Sequence, residues 1–285
     1  MPQIDAQDID WDQVTGLART GQYDQYIAAT LSPRAARGDL ILLAAFGGEI
    51  NRILHSVTEP TIAAIRLQWW RDALSDLGDT SSGSPLADGL RGMIVRRDLP
   101  VALLIGHIDA QELELHPDLP EDQETLAQHF IKRDGGPFNL AARILGDPMT
   151  GATQQTIAHA AGAYGLARTL AESRLRQNYR QLLVPHDRLR EHDIDVASLP
   201  GAPAESVANL VEEQCKIAQE SLIATRRAYS ALTSAAKSAL LPLCVTELYI
   251  RSARRQRDAP NPSETGPSQF ARSWRMLKAY WRGRI

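Results

Sequence analysis

The stretch "AAFGGEINRILHSVTEP", residues 44–60, carries the period of a helix and not that of a strand. Leu42, Phe46, Ile50, Ile53 and Val57 recur every third or fourth residue, which lines them along one apolar seam. The rest of that surface offers Gly47, Gly48, Glu49, Asn51, Arg52 and His55. Asn51 and His55 lie four positions apart, so an amide and an imidazole share a face one turn from each other.

The same texture extends in both directions. Segments rich in Ala, Leu, Arg, Glu and Gln, all good helix formers, alternate with Gly, Pro and Ser clusters at 78–85, 146–152, 199–205 and 258–268. Helices are expected over about 33–56, 59–77, 85–97, 99–114, 123–145, 150–181, 186–192, 203–231, 233–256 and 269–282. Thr58, with Glu59 and Pro60 after it, has the composition of an N-cap and first turn. No segment alternates β-branched with polar residues, no internal repeat occurs, and no break is long enough for an interdomain linker. The chain therefore reads as all-α, with a loose acidic tail over 1–15 and one helical domain over 16–285.

At 285 residues the chain can bury a substantial core, and a net charge of −3 gives no reason to expect a nucleic-acid partner. Its first twelve residues hold Asp5, Asp8, Asp10 and Asp12 and no Lys or Arg, unlike a secretory signal or a transit peptide. No run approaches the roughly 18 apolar residues of a membrane-spanning helix. Cys215 and Cys244 are far apart, flanked by apolar residues and outside any CxxC pattern, which suits buried thiols in a reducing compartment. The expected location is the cytoplasm.

Several stretches could carry function. "TIAAIRLQWWRDALSDL", residues 61–77, places Ile62, Ile65, Trp69, Ala73 and Leu77 on one helix face. Paired tryptophans usually pack in a core; the alternative is a partner surface built from Arg66, Gln68, Trp69 and Trp70. In the 150–181 helix, Arg168, Glu172, Arg176 and Arg180 fall four apart on one stripe. That stripe is either a solvated face laced by pairs such as Glu172 with Arg176, or a cationic lining for an anionic ligand or acidic partner.

The seven histidines make no helical zinc pattern, and Asp109, Glu112 and Glu114 in the acidic run 107–124 suit a solvated helix end. "KRDGGPFN", residues 132–139, has a Gly-Gly turn without the strand and spacing of a phosphate loop. The closing helix sets Phe270, Trp274, Leu277 and Trp281 on one face among Arg272, Arg275, Lys278, Arg282 and Arg284. Such a helix either packs on its own domain or lies at an anionic membrane surface, the inner face for a cytoplasmic protein.

Taken in order, "YDQYIAATLSPRAARGDLILLAAF", "EPTIAAIRLQWWRDAL", "NLAARILG", "LLVPHDRLREHDID" and "SQFARSWRMLKAYW" resemble the squalene/phytoene synthase family, from about Gln22 to the C-terminus. The resemblance implies an isoprenoid-synthase helical barrel in which two aspartate-rich motifs face each other. They hold magnesium against the diphosphates of two prenyl substrates. Carried onto this chain, the first motif falls on Asn51 to His55 and the second on Glu172 to Arg176, with Arg168 one turn earlier. An amide and an imidazole replace one carboxylate pair, and a carboxylate with an arginine replaces the other.

The resemblance therefore implies a kept fold, a lost reaction, no catalytic residue and no cofactor. It points to the branch of assembly factors for respiratory NADH dehydrogenase (complex I). A protein partner from that complex follows, with a prenyl lipid in a retained cavity as a further ligand. The alternatives are a magnesium-dependent prenyltransferase with degenerate motifs and a prenyl-lipid carrier.

Overall fold

The computed structural model describes residues 10–56, 59–78, 81–114, 119–172, 183–195, 202–258 and 266–285. Among them there is no strand. The helices are α1 (Trp11–Gly21), α2 (Tyr23–Leu31), α3 (Arg34–Ser56), α4 (Pro60–Ser75), α5 (Pro85–Arg97), α6 (Val101–Leu113) and α7 (Gln123–Phe130). They continue with α8 (Gly136–Ile144), α9 (Gly151–Glu172), α10 (His186–Glu191), α11 (Ala204–Tyr229), α12 (Ser234–Ala239), α13 (Thr246–Asp258) and α14 (Gln269–Arg282).

The helix expected over 123–145 is interrupted by a π turn, Ile131–Gly135, and the one expected over 233–256 by a 3₁₀ turn, Leu241–Val245. Of the tail expected over 1–15, residues 11–15 belong to α1, whose start Asp10 caps by accepting a hydrogen bond from the Gln13 amide, and residues 1–9 lie outside the described residues. Ser84, Asp122, Thr233 and Ser268 cap α5, α7, α12 and α14 in the same way. The N-cap of α4 is Glu59, and Thr58 lies outside the described residues.

A small apolar cluster gathers Val184, Leu189, Ile194 and Leu210, and two large ones make most of the core. Seam residues Leu42, Phe46, Ile50 and Ile53 of α3 are buried in one, with residues of α1, α4, α5 and α6. The other gathers α9, α11, α13 and the inner face of α14. Helix α8 joins them, sending Leu140 and Ile144 into the first and Phe138 and Ala142 into the second. Both cysteines are buried.

Gly48 explains part of the opening stretch. A Cβ there would stand 2.4 Å from the Leu17 carbonyl oxygen, so only glycine lets α1 cross α3 this closely. On α4 the apolar positions divide differently from the simplest expectation. Ala63, Leu67, Trp70 and Leu74 face the core, while Ile62, Ile65 and Trp69 face outward; Leu77, expected on the same face, lies past the end of α4 and is exposed. No helix among the described residues is long and apolar enough to cross a membrane.

Candidate functional site

The interior between α2, α6, α9, α13 and α14 is occupied by charge. Its first anchor is Asp24 on α2, which is buried. Its carboxylate accepts hydrogen bonds from the Tyr164 hydroxyl at 2.8 Å, the Tyr249 hydroxyl at 2.7 Å and Arg272 Nη1 at 3.1 Å. Burial first, and then the Asp24 charge, push the Tyr164 hydroxyl well above its ordinary pKa, so it remains a donor.

The second anchor is the π turn, where Arg133 and Asp134 sit side by side and buried. Arg133 Nε donates to Asp134 Oδ2 at 2.8 Å, Nη1 to Glu114 Oε1 at 2.9 Å, and Nη2 to Thr169 Oγ1 at 3.0 Å and the Gly165 carbonyl at 3.2 Å. Gly165 is required here, since a Cβ would meet Asp134 Oδ2 at 2.6 Å. Burial opposes ionisation of Glu114, but the Arg133 charge and the His129 hydrogen bond outweigh it and bring its pKa to about 2. Burial lowers the His107 pKa to about 4, so the ring is neutral and its Nδ1 donates to the Arg133 carbonyl at 2.6 Å.

Arg168 links the two anchors. Its Nη2 is 3.3 Å from Asp134 Oδ1, its Nη1 donates to Gln22 Oε1 at 3.2 Å, and its Nε lies 4.0 Å from Glu172 Oε2. The guanidinium also faces the Tyr164 ring, 5.3 Å from the centroid. Burial works against its charge, and Asp134, Tyr164, Glu172 and Tyr249 together outweigh burial and hold it protonated. Arg168 is therefore an interior residue, not part of a solvated face. Arg176 and Arg180, and with them a pairing of Glu172 with Arg176, lie outside the described residues.

At the first motif, Asn51 Nδ2 donates to the Gly21 carbonyl at 3.2 Å, tying α3 to the end of α1. The His55 side chain lies outside the described residues. Glu49 is held by Arg52 at 2.7 Å and by Arg66 of α4 at 3.3 Å. Gln68 donates to Asp72 at 2.8 Å on the outer side of α4. Trp70, grouped with the partner surface from sequence, is only 4 % exposed and packs edge-on against Phe46 at 5.4 Å. Trp69, 40 % exposed, lies outside it at 5.1 Å. In the acidic run, Asp109 and Glu112 both receive Arg71, while Glu114 turns inward to Arg133.

This donor set does not fit magnesium. The ion takes oxygen ligands in a near-octahedral arrangement. Here Asp24, Asp134, Glu114 and Glu172 each stand within 4.0 Å of a guanidinium, and the Asn51 amide is engaged at Gly21. A dication about 5 Å from one guanidinium meets roughly 7 kcal/mol of repulsion at an effective dielectric near 20. Among the described residues, no three His, Cys, Asp or Glu side chains form a group able to hold a metal.

Beside the network runs a narrow slot of about 50 Å³, lined by residues including Phe46, His107, Phe138 and Leu140. Small-molecule sites are typically about 300 Å³ or more. The sequence did not single out Asp24, Arg133, Asp134, Tyr164 or Tyr249. The charged pair just before Gly-Gly in "KRDGGPFN" was the one local sign, since π turns recur at functional sites.

Known proteins share this architecture. The squalene/phytoene synthase family profile matches residues 18–276. NADH dehydrogenase (ubiquinone) complex I, assembly factor 6 of Mus musculus is 25 % identical over 179 residues, which cover 62 % of this chain and 54 % of that protein. The match thus spans about half the length of the mouse relative. The Rattus norvegicus protein of the same name is 24 % identical over 241 residues, covering 84 % of this chain and 72 % of its own.

Among solved structures, a squalene synthase from Alicyclobacillus acidocaldarius superposes with a TM-score of 0.72 at 16 % identity, covering 88 % of this chain and 95 % of that one. A dehydrosqualene synthase solved with a ligand gives a TM-score of 0.76 at 13 % identity, covering 94 % of each chain. At such identities the structures speak for the isoprenoid-synthase helical fold. With the family profile running through nearly all of its helices, the chain belongs to the squalene/phytoene synthase family.

Proposed function

We propose that this chain is a non-catalytic member of its family, acting by binding a protein partner during assembly of respiratory NADH dehydrogenase. One observation carries the reading: Arg168, bonded to Asp134 and Gln22 beside Glu172, puts a fixed positive charge where metal-dependent chemistry needs free carboxylates. The relatives named as complex I assembly factors support the partner class. The outward face of α4, with Arg66, Gln68, Ile65 and Trp69, is the surface offered to that partner; its exposed Trp and neighbouring Arg are residue types that dominate interface energetics.

Deleting the gene should lower membrane NADH:quinone activity and leave polyisoprenoid products unchanged; the reverse pattern contradicts the proposal. Tagged full-length protein should capture respiratory subunits from membranes, and Trp69→Ala should weaken that capture. The narrowness of the interior slot weighs against a prenyl-lipid carrier, because a long isoprenoid tail needs more room than about 50 Å³.

A further inference from the structure

Helix α14 has two unlike faces. Met276 and Ala279 are buried, Arg272 reaches Asp24, and Arg275 bonds Glu247 at 2.7 Å and the Cys244 carbonyl at 3.0 Å. That side fixes the helix to the domain. On the opposite side Phe270 is 79 % exposed, Trp274 62 % and Trp281 79 %. At 3.6 residues per turn these three rings fall within about 40° of one another. Three aromatic rings projecting from a helix that is already anchored are not needed for the core.

The charge around them is one-sided. Of the five basic residues on or just after this helix, Arg272 and Arg275 are paired inward. Lys278, Arg282 and Arg284 are exposed and meet no carboxylate of the described residues. Together with Arg275 they border an open concavity of about 460 Å³ beside the helix. Unpaired cations next to outward-facing Trp and Phe match a surface that is anionic at its head and apolar just beneath.

We infer that α14 docks this protein on an anionic lipid bilayer, with Phe270, Trp274 and Trp281 entering the interface and Lys278, Arg282 and Arg284 meeting the headgroup phosphates. The helix lies parallel to the surface, because its inner side stays bonded to the domain. This docking stands independently of the assembly role.

The test is co-sedimentation of the full chain with vesicles of phosphatidylcholine alone and of equal parts phosphatidylcholine and phosphatidylglycerol, with tryptophan emission read alongside. Binding with a blue shift is expected for the anionic vesicles only. The triple variant K278Q/R282Q/R284Q should bind them about a hundredfold more weakly, at roughly tenfold affinity per 1.4 kcal/mol and near 1 kcal/mol per charge. W274A/W281A should bind more weakly and lose the shift; were it to misfold, F270A alone would carry the aromatic arm.

No binding to anionic vesicles overturns the inference and points to a protein as the occupant of this face. Equal binding to both vesicle types, or wild-type affinity in either folded variant, overturns it as well.

Discussion

Arg168 and Arg133 tie the carboxylates around them into a protein-only network. Each buried carboxylate between them has a guanidinium, and removing one partner leaves the other charge stranded. Arg168→Ala should therefore destabilise the fold by about 3–5 kcal/mol in urea unfolding. Adding Asp134→Ala to it should recover part of that loss, whereas simple additivity would argue against the pairing. Trp70→Ala should likewise cost about 3–5 kcal/mol, as expected for a buried aromatic, and Trp69→Ala less than about 1 kcal/mol.

His107 adds a pH dependence. Its folded pKa of about 4 lies below the ordinary 6.5, so the unfolded chain binds the proton more readily. Its contribution is complete above pH 6.5 and fades as pH falls from there towards 4, by about 3 kcal/mol in all. Glu114 adds a second loss between its ordinary 4.5 and about 2. Urea midpoints measured from pH 7.5 down to 4.5 should fall, and His107→Gln should flatten the slope above pH 4.5.

At the scale of elements, most helices from α3 onward could be read from periodicity and from Gly and Pro breaks. Leu42, Phe46, Ile50 and Ile53 of the α3 seam are buried as their spacing implied, and Val57 lies outside the described residues. Helices α1 and α2 were not legible: α1 buries only Val14 and Ala18, and α2 turns the polar Asp24 inward among two alanines. Both are short, 11 and 9 residues, which leaves few turns over which a period can be read. On α4 two apolar faces coexist, and periodicity cannot say which one meets the core. Close crossing decides α1 against α3, so Gly48→Ala should destabilise the protein by about 1–3 kcal/mol as backbone shifts to relieve the clash. Amide hydrogen exchange should then quicken in α1 before α9; uniform protection would contradict the crossing as its cause.

Across the whole molecule, the charged interior could not be found by spacing. The partners of Asp24 lie 140, 225 and 248 positions away in sequence, so only folding brings them together. The two segments that the family resemblance marks, Asn51 to His55 and Glu172 to Arg176, could be named from sequence because each is contiguous along the chain. Arg133 and Asp134 went unread because a π turn has no apolar period to mark it.

The central claim is that the buried carboxylates of this helical fold are held by guanidinium and not by magnesium. Incubation of the purified full chain with magnesium and farnesyl or geranylgeranyl diphosphate, scored for diphosphate release, tests it most directly. The account predicts no release above a protein-free blank at any magnesium concentration. Steady, magnesium-dependent release with an isoprenoid condensation product would contradict it.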